Sequence, residues 1–449
     1  MAVLSRTCRA VALAGVAALA FTVAACGGDE DSGGSADTNL PECAPYTQYK
    51  VDKKATVTIY ATIRDVEADK LRKSWEEFEK CTNIKVDYEG TGEFEAQIKV
   101  RVDGGNAPDL AVFPQPGLMN TFIKSNKVKP APQQVKDLVS KNWSADWAKY
   151  TTVDGTLYGA PLGSNVKSFV WYSPGLFKEK GYQIPKTWTE LVALSDKMAA
   201  DKVKPWCAGI ESGEATGWPA TDWIEDIMLR DQGPDVYDQW VNHTIPFNDP
   251  KVLSAVDRAG SILKNANYVN GGIGDVKSIS TTSFQEGGLP VKDKKCGMHR
   301  QASFYANQWP KGTNIGENGD VFAFYFPPID PSKGKPVLVA GEFVAAFADR
   351  PEVVNVQTYL ASAEWATSRA KLNDWVSANK NVDPSSFAGV IDKLSVQILQ
   401  DPSTVARFDG SDLMPGAVGA GSFWKGMTDW INGKDTKSTL DFIESSWPK

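Results

Sequence analysis

The side chains best suited to chemistry in this chain are aromatic rings and carboxylates. Fifteen of the 449 residues are tryptophan, and this surplus indicates flat surfaces on which a ligand can stack, besides the rings that fill the core. Pairs of Asp or Glu can serve in acid–base chemistry, although the sequence does not give their separation. The sequence contains no G-x-S-x-G elbow, H-E-x-x-H pair or Gly-rich phosphate loop, which argues against the corresponding enzyme classes.

The N-terminal segment ends in a cysteine that a lipid can modify. Arg6 and Arg9 precede an apolar run over 11–23 that is too short to span a bilayer. The run closes in the small-residue sequence VAAC, which ends at Cys26 and is followed by a Gly/Asp/Ser-rich stretch. We expect cleavage before Cys26, lipidation of its sulfur and attachment to the outer face of the cell membrane, because several acyl chains anchor firmly. The alternative is a plain secretory peptide in which Cys26 has no role.

The remaining cysteines predict two disulfides. In an oxidising compartment the four cysteines after Cys26 are expected to pair, and three pairings are possible. We favour Cys43–Cys81 with Cys207–Cys296, because Cys43 precedes the first strand and Cys81 ends the helix after it. With two histidines and no C-x-x-C spacing, neither a metal nor a cofactor is expected.

Length and charge narrow the class further. An exported part of a little over four hundred residues exceeds what one core usually supports, so two lobes are expected. The formal net charge is −7 and no block of like charge marks a nucleic-acid surface, so nucleic acid is not an expected partner. We expect a monomer.

The first hundred residues of this part alternate between strand and helix patterns. Apolar periodicity predicts strands over 55–61, 84–88 and 107–113, with helices over 65–80 and 94–104 between them. This order predicts an α/β fold with a parallel, doubly wound sheet. Ligands of such sheets bind beyond the carboxyl ends of the strands, which here means the segments 63–65, 90–95 and 114–119.

Short motifs in the middle and C-terminal parts carry a family resemblance. The motifs are LYGAPLG (157–163), SFVWY (168–172), LFKEKGY (176–182), PKTWTEL (185–191), FQEG (284–287), VFAFYF (321–326), GEF (341–343), SDLMP (411–415) and SFWK (422–425). In this order they resemble the family 1 extracellular solute-binding proteins of ABC importers, the maltose-binding-protein group. The segments 206–226 and 296–304 resemble the branch that binds α-glucosides and other oligosaccharides. The PQPG segment at 114–117 lacks the charged groups that maltose binders place there.

The resemblance implies a two-lobe periplasmic-binding-protein fold. Each lobe is expected to be a doubly wound sheet flanked by helices, with hinge crossings near Gly163, Phe326 and Asn373 and a helical C-terminal segment. Thr187 is expected to cap the helix that follows Pro185, with Glu190 completing a capping box. The expected parts are a signal peptide (1–25), a lipid-anchored tether (26–42), an N-terminal lobe (43–163 and 327–373) and a C-terminal lobe (164–326 and 374–449).

The resemblance also implies a sugar site, in which rings stack on C–H surfaces and charged or amide groups bind hydroxyls. The expected ligand-binding residues are Asp65, Glu93, Gln115, Trp218, Asp222, Trp223, Arg300, Phe304, Tyr305, Gly341, Glu342, Asp412 and Trp424. For Trp424 the alternative is core packing, and for Asp222 and Asp412 it is an N-cap. Arg407 and Asp409 are expected in a surface salt bridge, and His243 and His299 in packing or capping.

The function implied is that of a lipid-anchored binding protein outside the cell. It is expected to capture an oligosaccharide, of α-glucoside type, and to deliver it to the permease of an ABC importer without catalysis. The alternatives are a binder of a non-sugar solute, such as a polyol, and a secreted carbohydrate-active enzyme. A surface adhesin is disfavoured because the chain shows no repeats.

Overall fold

The computed structural model describes residues 40–448. Its strands are β1 Ala55–Ala61, β2 Ile84–Gly90, β3 Leu110–Phe113, β4 Thr152–Val153, β5 Thr156–Leu157, β6 Gly159–Pro161, β7 Asn165–Val166, β8 Phe169–Tyr172, β9 Lys204–Trp206, β10 Cys296–Arg300, β11 Phe322–Tyr325, β12 Lys335–Ala340, β13 Phe343–Ala346 and β14 Thr404–Phe408. The prediction for β1 is confirmed at both ends, and β2 and β3 differ from prediction by two and three residues at one end.

Helices surround these strands. They are α1 Asp65–Lys73, α2 Glu76–Thr82, α3 Phe94–Asp103, α4 Pro116–Lys124, α5 Gln133–Asn142, α6 Ala145–Lys149, α7 Pro174–Lys180, α8 Trp188–Ala200, α9 Trp218–Gln232, α10 Pro234–Val241, α11 Pro250–Leu263, α12 Leu289–Lys292, α13 Pro351–Leu360, α14 Ala363–Ala370, α15 Val390–Gln400, α16 Gly410–Leu413, α17 Trp424–Ile431 and α18 Thr436–Glu444. Within residues 40–448, none is long and apolar enough to cross a bilayer.

The predicted helix over 65–80 is two helices. The N–H of Ser74 still donates to the carbonyl of Lys70, four residues back, but the N–H of Trp75 donates to Arg72, only three residues back. Trp75 has φ −121° and ψ 10° at the start of α2. Its ring is buried and packs 5.9 Å from the ring of Tyr88. The free energy gained by burying the Trp75 ring exceeds the free energy lost by interrupting the helix for one turn.

The sheet of the N-terminal lobe is mixed, not wholly parallel. Its order is β2-β1-β3-β13-β6, with β1, β2 and β3 parallel and with β13 antiparallel to both β3 and β6. The chain re-enters this lobe after β12, from the side where β3 ends. A strand that enters from there must run against β3, which explains the antiparallel pairing.

The sheet of the C-terminal lobe has the order β11-β8-β10-β9. Trp171 of β8 and Trp206 of β9 are fully buried, so part of the tryptophan surplus fills the core. The start of α8 follows the predicted cap: Thr187 Oγ1 accepts from the N–H of Glu190 at 3.2 Å. In a capping box the Glu190 carboxylate would accept from the N–H of the cap residue, Thr187. Here it accepts from the N–H of Lys186, one residue earlier.

A third sheet has the order β14-β12-β7. Its strands β7 and β12 belong to the two segments that connect the main sheets. The chain leaves the first sheet after β6 and passes Gly163 on its way to β7, and it returns through β12 to β13. Phe326 directly follows β11, and its ring packs beside Trp188 and Trp223 in the core of the C-terminal lobe. The hinge expected near it stays a prediction. Near Asn373, Val376 pairs with Ser164 of the first crossing.

Both favoured disulfides are present. Cys43 is bonded to Cys81, which joins the 3-10 helix Pro41–Tyr49 to α2. Cys207 is bonded to Cys296, which joins the end of β9 to the start of β10. The lipidation predicted at Cys26 falls outside the described residues.

Candidate functional site

A cavity of about 170 Å3 lies between the two lobes. The three strand-end segments that the sheet rule selected all contribute to it, through residues such as Ile63, Gly92 and Gln115. The opposite wall comes from the C-terminal lobe and from the segment between β14 and α17. Between the walls, the two crossings contribute Asn165, Lys167 and 340–342.

One wall of the cavity is aromatic. It contains Trp218, Phe284, Phe304 and Trp424, and the Trp218 ring lies 5.1 Å from Phe284 and 6.0 Å from Phe304. Trp218 begins α9 and Trp424 begins α17, so both rings sit at helix starts that meet. Gly217 makes this meeting possible: it has φ 116°, and a Cβ there would overlap the carbonyl oxygen of Trp424.

Two buried polar atoms in the cavity wall have no partner among residues 40–448. The indole N–H of Trp424 donates to no protein atom, although only 3% of the residue is exposed. The side-chain oxygen of Gln115 is likewise unpaired, while its amide nitrogen donates to Glu95 at 3.0 Å. Buried polar groups nearly always have partners. The two atoms therefore call for a donor to Gln115 and an acceptor for Trp424, and a hydroxyl group has both capacities.

Carboxyl groups also line the cavity, those of Glu95, Glu342 and Asp412 among them. Burial raises the pKa of Glu95 to about 7, and burial together with the charge of Glu67 raises that of Glu342 to about 7. Burial and the neighbouring Asp409 raise the pKa of Asp412 well above its usual range. Carboxyl groups in this environment can both accept and donate hydrogen bonds near neutral pH.

Lys167 holds a buried ionic network beside the cavity, and sequence reasoning missed it. Its ammonium donates to Asp222 at 2.8 Å and to Asp409, and it lies 5.3 Å from the Trp218 ring centre. Burial opposes this charge, but the two carboxylates outweigh burial and raise the pKa of Lys167 well above its ordinary value. The available signal in the sequence was a lysine in the segment between β7 and β8, among residues expected to be buried. A charged side chain in such a place is rarely buried without a partner of opposite charge.

The network includes three carboxylates spaced closely enough to hold a cation. Oxygens of Asp222, Glu225 and Asp409 lie within 4.8 Å of one another. Lys167 already contacts two of them, and Glu225 accepts from the N–H groups of Gly410 and Ser411. The chain therefore supplies its own cation here, and we assign no metal to the cluster.

The structure brings most of the predicted ligand residues to the cavity. Those that line it are Asp65, Gln115, Trp218, Phe304, Gly341, Glu342, Asp412 and Trp424. Glu93 lies just outside, where its carboxylate approaches Gly213 of the opposite lobe. Glu95, two residues further along, reaches the cavity instead.

Four predicted ligand residues are placed elsewhere. Trp223 packs in the core, 5.1 Å from Trp206, and Asp222 binds Lys167 instead of facing the cavity. Arg300 is buried in an ion pair with Asp226 at 2.8 Å.

Tyr305 is also absent from the cavity wall. It is fully buried, and its hydroxyl donates to the carbonyl of Gln285 at 2.6 Å. In each of these cases an internal partner occupies the side chain, which leaves it unable to reach a ligand.

Of two further expectations about charged residues, the one for Asp409 differs from the structure and the one for Arg407 agrees with it. Asp409 is buried and caps α16 by accepting from the N–H of Asp412 at 3.0 Å, so it forms no surface pair. Arg407 forms the expected surface salt bridge, with the part-exposed Asp238 at 2.8 Å. His299 packs, as expected, with its ring bonded to the carbonyl of Cys207, and burial lowers its pKa to about 4.

Comparison with known proteins gives consistent matches. Residues 64–371 match the model of the bacterial extracellular solute-binding proteins. The osmoprotective compounds-binding protein GgtB of Synechocystis sp. is 41% identical over 89% of this chain and 94% of its own length. The alpha-glucosides-binding periplasmic protein AglE of Rhizobium meliloti is 37% identical over 88% of this chain and 87% of its own.

Solved structures share the fold. The bacterial solute receptor AcbH superposes with a TM-score of 0.74 at 20% identity, over 87% of this chain and 98% of AcbH. A chitin oligosaccharide binding protein has the same TM-score at 17% identity, over 87% of this chain and 97% of its own. At these identities the likeness concerns architecture alone.

Proposed function

The chain belongs to the bacterial extracellular solute-binding proteins, and we propose that it captures an α-glucoside-type saccharide between its lobes for delivery to the permease of an ABC importer. The observation that carries this proposal is the cavity wall in which aromatic rings stand beside two buried polar atoms without protein partners. Rings match the C–H faces of a sugar, and the unpaired groups match its hydroxyls. The name of one relative above, the alpha-glucosides-binding protein AglE, supports the same class.

The capture step follows from the two-lobe construction. A ligand that touches both walls stabilises the closed form by the difference between its affinities for the closed and open forms. Glu95 and Gln115 are on the N-terminal wall, and Trp218 and Trp424 are on the opposite one. A bound sugar that bridges these groups therefore favours closure. Since family members bind solutes without transforming them, no residue here is assigned a catalytic role.

A saccharide panel tests the proposal. Thermal shift with trehalose, sucrose, maltose, a β-linked disaccharide and glycerol is expected to raise the melting temperature with at least one α-glucoside, and titration calorimetry should then give its Kd. A ligand at a hundred times its Kd stabilises the folded state by about 2.7 kcal/mol. Stabilisation by glycerol alone, or by no compound, would contradict the proposal. A saccharide-release assay should find no product, and release of product would instead favour the enzyme class.

We further propose that Cys26 carries the lipid anchor and that the protein acts as a monomer at the outer face of the membrane. The supporting feature is the small-residue sequence that ends at Cys26 and the low-complexity stretch after it. Cys26→Ser is expected to move the protein from the membrane fraction to the medium or to an uncleaved precursor. Unchanged fractionation, with an unchanged mass of the N-terminal peptide, would show that Cys26 is not the anchored residue.

A further inference from the structure

The cavity between the lobes is lined by more carboxyl groups than cations. Its acidic lining residues are Asp65, Glu67, Glu95, Glu342, Asp409 and Asp412. The basic residues that line it are Arg64 and Lys167. Lys167 is bound by two carboxylates, those of Asp222 and Asp409. The guanidinium of Arg64 lies 3.8 Å from the carboxylate of Asp65. Within residues 40–448, the cations of the lining therefore leave several of its carboxyl groups without a partner of opposite charge.

Two of these carboxyl groups, those of Glu95 and Asp412, interact from opposite walls. Glu95 belongs to α3 of the N-terminal lobe, and Asp412 belongs to α16. Burial, the charge of Asp409 and the charge of Glu95 raise the pKa of Asp412 well above its usual range, against the opposing charge of Lys167. Burial also raises the pKa of Glu95 to about 7. Both groups are destabilised as anions, and a cation bound between them reduces that penalty.

The side-chain oxygen of Gln115 calls for a donor at the same place. Gln115 lines the cavity and is 5% exposed, and its amide nitrogen donates to Glu95 at 3.0 Å. Its oxygen has no partner in the part of the chain that the structure describes. A ligand ammonium group has three donors and no acceptor, which matches one amide oxygen and two carboxylates. A hydroxyl group has a single donor and satisfies only one of the three.

The aromatic wall also accepts a positive charge more readily than a negative one. The face of an aromatic ring attracts cations, and tryptophan does so most strongly. Trp218 shows this already, because the ammonium of Lys167 lies 5.3 Å from its ring centre. An anionic ligand group would instead meet carboxyl groups on both walls, and like charges repel strongly where water is excluded.

We propose that Glu95, Gln115 and Asp412 bind a protonated amine, so that the cleft prefers an amino-substituted saccharide to the neutral sugar and excludes a uronate. This inference rests on the proposed function and names a substituent on its saccharide. Hydrogen bonds from a charged donor to a carboxylate are roughly twice as strong as those between neutral groups, and this difference is the source of the preference. The ring faces of Trp218 and Trp424 remain available to the sugar.

Titration calorimetry of matched sugars on the intact protein tests the charge preference. Trehalose and maltose are the neutral parents. Each is compared with its monoamino derivatives, in which one free hydroxyl at C2, C3, C4 or C6 is replaced by an amine, and with the derivative oxidised to a carboxylate at C6. At pH 6.5, where these amines are protonated, we expect at least one amino derivative to bind at least tenfold more tightly than its parent. The carboxylate should bind at least tenfold more weakly.

The outcomes separate this inference from the proposed function. If a neutral parent binds and no amino derivative reaches the tenfold gain, the inference is overturned and the proposed function stands. A carboxylate derivative that binds within tenfold of its parent overturns the inference in the same way. If neither the parents nor the amino derivatives bind, the proposed function is contradicted, and this inference with it.

Two charge-removing variants test whether the named carboxyl groups bind the amine. Asp412→Asn keeps the shape of the side chain and removes its charge, and it should reduce the preference for the amino derivative at least threefold. Asp392→Asn is the matched control. Asp392 is also a buried aspartate, whose pKa burial raises to about 7, but it lies outside the cavity lining, so the preference should keep its wild-type value. If the preference is unchanged in both Asp412→Asn and Glu95→Gln, and circular dichroism shows both folded, the proposal fails.

Discussion

The variant Trp424→Phe tests whether Trp424 binds the ligand or only packs in the core. The indole N–H of Trp424 is buried in the cavity wall and donates to no atom of residues 40–448. Replacement by Phe keeps an aromatic face and removes the N–H. Replacement by Ala would be less informative, because it would cost about 3–5 kcal/mol of folding stability together with the ring face that binds the ligand.

The expected magnitude follows from the missing partner. If a ligand hydroxyl accepts from this N–H, its loss costs about 0.5–1.5 kcal/mol of binding, which is roughly a 2- to 12-fold weaker Kd. The ligand-free protein loses no hydrogen bond, and it is relieved of an unpaired buried donor worth about 1–3 kcal/mol. That gain offsets the loss of ring volume, so the ligand-free melting temperature should change little.

Trp143→Phe is the matched control. Trp143 is equally buried at 3% exposure, and its N–H also has no partner among residues 40–448, but it lies in the core of the N-terminal lobe and not at the cavity. Calorimetry should find a weaker Kd in Trp424→Phe and an unchanged Kd in Trp143→Phe, with similar melting temperatures. A Kd within twofold of the wild type in Trp424→Phe, or an equal loss in the control, would refute the assignment of this N–H to the ligand.

Four further outcomes are expected. Gly117→Ala should weaken ligand binding and keep the liganded protein expanded in small-angle scattering, because the added Cβ would overlap the carbonyl oxygen of Met414 in the opposite lobe. Gly316→Ala is the control: a Cβ there meets no atom, so neither measurement should change. Lys167→Met should cost about 3–5 kcal/mol of unfolding free energy in denaturant titrations, because it leaves two carboxylates buried without their cation, and a loss below about 1 kcal/mol would contradict the network. Glu95 retains its proton up to about pH 7 in the folded state, because burial raises its pKa to about 7. The stability that this raised pKa contributes is full below the unfolded pKa and is lost as pH rises through 7. Glu95→Gln should therefore make the melting temperature depend less on pH between pH 5 and 8, and an unchanged slope would refute this. Cys207→Ser opens a loop of 89 residues and should cost about 4–5 kcal/mol in the chain-entropy model, with an unchanged melting temperature as the contrary result.

Local patterns predicted the elements more accurately than the side-chain roles. The alternating residues of β1 and the Thr187 cap depend on neighbours in sequence, and the structure reproduces both. The break at Trp75 was not predictable from the periodicity of 65–80, because it results from packing against Tyr88 in the next strand. The antiparallel course of β13 likewise depends on where the chain returns from the other lobe.

The angular position of a side chain around its helix axis decides whether it faces the cavity or the core. Trp218 and Trp223 are five residues apart on α9, which places them roughly 140° apart around the axis, so one lines the cavity and the other enters the core. Phe304 and Tyr305 are adjacent on a 3-10 helix and diverge by about 120°. A sequence motif identifies such a pair but does not say which member faces the ligand.

The sequence by itself determined the family, the alternation of strands and helices, and the segments that end at the cavity. These follow from residue order, periodicity and short-range capping, which act between residues close in the chain. Only the tertiary structure decided that Lys167 meets Asp222 and Asp409, 55 and 242 residues away, and that Arg300 and Tyr305 are used internally. Burial makes such partners obligatory, because an unpaired charge or hydroxyl inside the protein costs more than its hydrogen bond returns, and the partner is chosen by the packing of distant segments.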